Sequence, residues 1–149
     1  YSVNTIDLGS TNADVHPPFK RPVGERAGNT ALNKVYGKKV PCEGPAFKAF
    51  KTSGSSILVQ MEQAAGLTTT DGKEPAQFEI AGTDGIYHPA TAEITNRKGG
   101  TAVIRLSSPE VKSPKNARYC WNRFVTPNLV NGNQLPARPF RTDAPVLKK

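Results

Sequence analysis

The sequence carries little of what several familiar chemistries need. It has two cysteines, two histidines, one methionine and one tryptophan in 149 residues. No C-x-x-C pair occurs, which argues against zinc-ribbon and thioredoxin-type sites. P-loop, G-x-G-x-x-G, H-E-x-x-H and G-x-S-x-G motifs are absent, so neither a cofactor nor a metal is expected. No apolar run approaches the roughly 18 residues that mark a membrane span. No charged-then-apolar leader opens the chain, which begins at Tyr1. Blocks of like charge are missing too. The 20 Lys and Arg against 12 Asp and Glu give +8, but the basic residues from Arg97 to Arg141 are scattered. They come without an RRM, KH or zinc-finger pattern, so nucleic acid is not an expected partner.

What is present suits a small, turn-rich, mainly β protein. Leu, Ile, Val and Phe supply 31 of the 149 residues, and Gly and Pro supply 13 each. That is enough apolar material for one core, at the low edge of globular composition. Cys42 and Cys120 lie far apart in sequence and leave two readings open, one disulfide or two thiols.

Along the chain, Ser2-Val3-Asn4-Thr5-Ile6-Asp7-Leu8 reads as a short strand broken by Gly9-Ser10-Thr11-Asn12. Asp14-Val15-His16-Pro17-Pro18 follows, an extended loop because two prolines forbid helix there. Residues 22–36 read as one helix. Pro22 suits its first turn, Glu25 and Lys34 complement the dipole, and Gly37 follows as the C-terminal stop. Val23, Ala27, Ala31 and Val35, widened by Leu32 and Tyr36, form its apolar stripe. Gly28 inside it costs roughly 1 kcal/mol against Ala.

From about residue 40 the apolar period becomes two. Ile57, Val59 and Met61 alternate with polar or outward positions, as do Phe78 and Ile80, Ala92 and Ile94, and Ala102, Ile104 and Leu106. Turn signals at Gly54, Asp71-Gly72, Asp84-Gly85 and Gly99-Gly100 separate these runs. The expected fold is an antiparallel β-sandwich over about 40–143, preceded by a strand, a His-bearing loop and one helix, with a disordered tail at 144–149. Tyr119, Trp121 and Phe140 read as buried faces of that sandwich, and Arg138 and Arg141 as a solvated rim. Of the histidines, His88 falls in a strand-ending turn. His16 sits on a Pro-bounded loop between two regular elements with Asp14 close by, which is the base-plus-orienter half of a hydrolytic triad.

Several segments together resemble the late part of the sialate O-acetylesterase family of SGNH-type carbohydrate esterases. They are Asp14-Val15-His16-Pro17, Pro22-Val23-Gly24-Glu25-Arg26-Ala27 and Val35-Tyr36-Gly37. The likeness continues through Phe78-Glu79-Ile80-Ala81-Gly82, Pro89 to Ile94, Val111-Lys112-Ser113-Pro114, Arg118-Tyr119-Cys120-Trp121 and Asn128-Leu129. It closes at Leu135-Pro136-Ala137-Arg138-Pro139-Phe140-Arg141-Thr142-Asp143. The resemblance implies that His16 is the general base, that Asp14 is the orienting acid, and that residues 1–37 end an α/β domain. The commoner SGNH pattern has its aspartate three residues before the histidine, where this chain has Ala13. Gly28 departs from the larger apolar residue usual after Gly-Glu-Arg-Ala.

Neither a Gly-Asp-Ser nor a Gly-Gln-Ser-Asn block occurs, so the nucleophilic serine is expected on an N-terminal remainder of the same enzyme. The 149-residue chain alone is then expected to be inactive. The resemblance further implies an O-acetylated sugar as substrate and an extracellular, periplasmic or lysosomal setting. The other reading of the same residues is a non-catalytic β-sandwich module, structural or glycan-binding.

Overall fold

The alternating runs become sheet where the pattern places them. The computed structural model describes residues 1–9, 16 and 19–143. Asp14 and the 144–149 segment expected to be a disordered tail lie outside the described residues. One helix, α1 (Lys20–Lys34), precedes ten short strands. They are β1 (Ala46–Ser53), β2 (Ser56–Glu62), β3 (Thr68–Thr69), β4 (Phe78–Ala81), β5 (Tyr87–Pro89), β6 (Thr91–Lys98), β7 (Thr101–Ser107), β8 (Asn116–Tyr119), β9 (Leu129–Val130) and β10 (Phe140–Arg141).

Two four-stranded antiparallel sheets, β1-β2-β7-β6 and β10-β8-β4-β5, face each other across a shared core, and β3 and β9 pair separately. Hairpins β1–β2 and β6–β7 each turn through two residues with glycine first, Gly54 and Gly99, both at φ +58°. That is the turn geometry whose twist matches the flanking strands. Ile57, Val59 and Met61 of β2 and Ala102, Ile104 and Leu106 of β7 point inward from one sheet. Phe78, Ile80, Ala117 and Tyr119 answer from the other. Phe78 and Tyr119, paired across β4 and β8, hold their rings 4.6 Å apart, and Phe47 stacks on Phe140 at 4.8 Å.

Long connections are held by two buried asparagines instead of by ladders. The Asn131 amide donates to the carbonyls of Glu43 and Gln63, and its oxygen accepts from the N–H groups of Asn133 and Leu135. Asn128 likewise donates to Asp71 and to the Glu74 carbonyl and accepts from the Ala76 N–H. Each therefore satisfies buried backbone groups that would otherwise be costly to desolvate.

Residues 2–8 do not form the expected strand. Among the described residues no strand lies beside them to complete a ladder, and side chains satisfy their polar groups instead. The Asn4 amide donates to the carbonyls of Pro136 and Ala137, both at 3.0 Å. Ile6 packs against the core and Leu8 is buried.

Two glycines give opposite expectations. A Cβ on Gly44 would stand 2.0 Å from the Pro136 carbonyl oxygen, whereas one on the helical Gly28 would meet nothing within 4 Å. Gly44→Ala is expected to lower unfolding stability by about 3 kcal/mol or more, and Gly28→Ala to raise it by roughly 0.5–1 kcal/mol. Denaturant unfolding of the two variants checks both signs.

Candidate functional site

The sequence-derived site lies at the junction of the N-terminal segment and α1. His16 is solvent-exposed on the loop that joins them. The segments on either side of His16 are clamped together. Arg26, in the second turn of α1, grips Asp7 with both guanidinium nitrogens at 2.6 Å and also donates to the Asn4 carbonyl at 3.0 Å. The paired side chains are only 14% and 24% exposed. A bidentate, partly desolvated pair of this kind fixes orientation as well as distance. The Gly24-Glu25-Arg26 segment thus contributes a fastener that joins α1 to residues 4–7.

A second fastener joins α1 to the sandwich. Glu43 accepts from Lys34 Nζ at 2.9 Å and from Arg138 at 3.2 Å. The hydrogen bond from Lys34 holds the Glu43 carboxyl below its ordinary range and, reciprocally, raises the Lys34 ammonium. Thr30, buried on the same side, bonds back to the Arg26 carbonyl. The Asn33 amide donates to the Val40 carbonyl at 3.0 Å.

α1 therefore meets the sandwich edge through Lys34, which bonds Glu43, while Arg26 ties it to the N-terminal segment. The expected apolar stripe is not the packed face: Leu32, Val35 and Tyr36 are 41%, 62% and 70% exposed. The reason is the neighbourhood, since the sandwich offers carbonyls and the Glu43 carboxylate at this edge, which select polar partners. The helix also begins two residues earlier than expected. Pro22 then occupies the third helical position, where a missing N–H still costs nothing.

The remaining candidate groups are accounted for elsewhere. Cys42 and Cys120 are free thiols, so of the two readings the disulfide is not formed. Burial pushes the Cys120 thiol up to about 11, away from the nucleophilic thiolate. His88 lies in β5 and pairs through Nδ1 with Glu110. Among the described residues no group of three or more His, Cys, Asp or Glu could hold a metal ion, and no helix is long and apolar enough to cross a membrane.

At the other end of the chain Tyr119 and Phe140 are buried as expected, but Trp121 is 46% exposed. Its neighbour Cys120 adopts φ +52°, which ends the alternation that would have carried Trp121 inward. Arg141 lies over the Trp121 ring at 5.3 Å and holds Asp143 with two bonds of 2.7 Å. No sequence signal marked this arrangement, because a left-handed cysteine is not encoded by residue type in the way a glycine turn is.

Comparison with known proteins then gives a direction. No protein-family model matches the chain, and no curated protein matches it. Among solved structures, one that matches has a TM-score of 0.81 and 34% sequence identity over 92% of this chain. It is a carbohydrate acetylesterase from Xanthomonas citri. The chain spans 31% of that esterase's length. The likeness thus reaches a carbohydrate esterase, without singling out the sialate branch.

The Glu43 fastener carries a pH signature. Because its carboxyl is held low in the folded chain, its contribution is present above the ordinary carboxylate range and is lost as pH falls through the lowered value. Glu43→Gln is expected to cost about 0.5–1 kcal/mol near neutral pH. The gap to wild type should narrow steadily in acid, and unfolding curves across that range measure it. An unchanged gap would show that Glu43 contributes by packing alone.

Proposed function

We propose that this chain is the C-terminal portion of a carbohydrate O-acetylesterase. On this reading residues 1–37 complete an α/β domain, and 40–143 form the β-sandwich attached to it. The observation that carries the proposal is the 34% identity, sustained over 92% of the chain, to a carbohydrate acetylesterase. The exposed apolar side of α1 supports it. A contiguous face containing Leu32, Val35 and Tyr36 is what a helix presents to the sheet layer of an α/β domain.

His16 is the general base in this proposal and Asp14 its orienting acid. His16 takes the proton from a serine hydroxyl supplied by the N-terminal remainder as the serine oxygen attacks the acetyl carbonyl. The tetrahedral oxyanion collapses, the C–O bond to the sugar breaks, and the imidazolium returns the proton to the departing sugar oxygen. Water, deprotonated by the same imidazole, then releases acetate and regenerates the serine. The substrate class we favour is an O-acetylated sialic acid or related sugar. We place the enzyme in an extracellular, periplasmic or lysosomal setting, where such glycans are displayed.

Acetate release from O-acetylated sialic acid and from acetylated neutral sugars, by the enzyme with its N-terminal remainder, tests this. His16→Ala is expected to lower kcat by about 10³-fold or more with little change in KM, and Asp14→Asn by a smaller factor. Near wild-type turnover in His16→Ala removes the base assignment. Turnover of the neutral sugars only would move the substrate class away from sialic acid.

A further inference from the structure

We propose that the end of the β8–β10 strand pair is the face by which the β-sandwich seats on the N-terminal remainder of the same enzyme. Trp121, Phe124 and the Arg141–Asp143 pair reach the surface there. The inference rests on the reading that this chain is part of a longer acetylesterase, and it adds a second contact to the one assigned to α1.

Backbone geometry turns the indole outward. Strand β8 ends at Tyr119, and continued alternation would send Trp121 inward after it. Cys120 at φ +52° stops this, opposite Gln77 at φ +69°, and the Cys120 N–H donates to the Gln77 carbonyl at 3.0 Å. Non-glycine residues rarely adopt that conformation. Trp121 is left 46% exposed, and Phe124, three residues further on, 47%. A guanidinium lies over each ring, Arg141 at 5.3 Å and Arg123 at 5.2 Å. Asp143 accepts two bonds from Arg141, so burial of this pair would leave neither charge unpaired. Tryptophan, phenylalanine and arginine are the side chains enriched where proteins cover one another, and tryptophan and arginine carry much of the affinity there.

Size and position select the occupant. Half-exposed, the two rings offer together about 200 Å². A freely diffusing partner needs about 800 Å² from each side. A face this small suits a body already tethered, because covalent linkage replaces most of the entropy lost on association. A second copy meets the same shortfall and would set the arginines of the patch against their own images. The chain spans 31% of the acetylesterase it matches, so on the proposed reading the greater part of the enzyme lies outside it. The segment that would join the two runs beside this face. Asn4 donates to the Pro136 and Ala137 carbonyls, and Arg141 stands four residues beyond Ala137, about 13 Å along an extended strand. Asp7 comes close to β8 itself: burial foremost, with Cys120 and the Asp7 carboxylate adding to it, pushes the Tyr119 hydroxyl up. Tyr119 is two residues from Trp121. Held at α1 and at this face, the sandwich is a fixed wall of the enzyme instead of a module on a flexible tether.

Hydroxyl-radical footprinting read by mass spectrometry resolves the two aromatic side chains. Trp121 and Phe124 are expected to oxidise at least fivefold more slowly in the enzyme with its N-terminal remainder than in the 149-residue chain. That protection should be constant over a hundredfold range of protein concentration. Equal oxidation in the two proteins overturns the proposal. So does protection that develops in the 149-residue chain alone as its concentration rises, which would mark a contact between copies. Acetate release by the same sample keeps the two readings apart. An active enzyme whose Trp121 and Phe124 stay as reactive as in the 149-residue chain sinks this inference and leaves the esterase reading standing. An inactive enzyme with both rings protected does the reverse.

Discussion

The bidentate grip of Arg26 on Asp7 is the contact on which the joining of the N-terminal segment to α1 depends. Residues 2–8 have no ladder among the described residues to hold them, and α1 brings no apolar face to the sandwich. Beside the packing of Ile6 and Leu8 and the Asn4 bonds to Pro136 and Ala137, that grip and its companion at Glu43 orient both elements. With them, Asp7 and Arg26 set the N-terminal segment relative to α1, and Lys34 and Arg138 set α1 relative to the sandwich. Both fasteners are ionic and partly exposed, so they contribute orientation more than stability. Stability comes from the inner faces of the two sheets, where Ile57, Val59, Ile80, Ile104 and Leu106 are wholly excluded from water.

This division of labour suits an accessory position beside a larger catalytic body. The sandwich has its own core and its own buried polar keystones in Asn128 and Asn131. The α1 segment shows solvent the apolar side chains that a single small domain would be expected to bury. A carbohydrate acetylesterase shares this architecture over nearly the whole chain while being much longer.

Much of this was legible in the sequence wherever burial enforces a period. The runs around Ile57, Phe78 and Ala102 became β2, β4 and β7, because a half-buried strand needs side chains on alternate faces. Gly37 sits at φ +66° just after the helix, as a C-terminal glycine should. Legibility failed where partners rather than periods decide. Ser2–Leu8 has β-prone residues but no neighbouring strand. Val23, Leu32 and Val35 make a sound stripe, yet the sandwich edge beside α1 presents the Glu43 carboxylate and selects Lys34 instead. Trp121 continued an alternation that the left-handed Cys120 stops. The Arg26–Asp7 clamp was not legible, because that pair is brought together only by the fold.

The central claim is that His16 acts as the proton-transferring base of a carbohydrate acetylesterase. Chemical rescue measures it most directly: acetate release by the His16→Ala enzyme, joined to its N-terminal remainder, with and without added imidazole. The account predicts that imidazole restores a substantial part of the lost turnover in a concentration-dependent way, since it returns the missing base to the vacated position. A variant that is folded, inactive and indifferent to imidazole would contradict it.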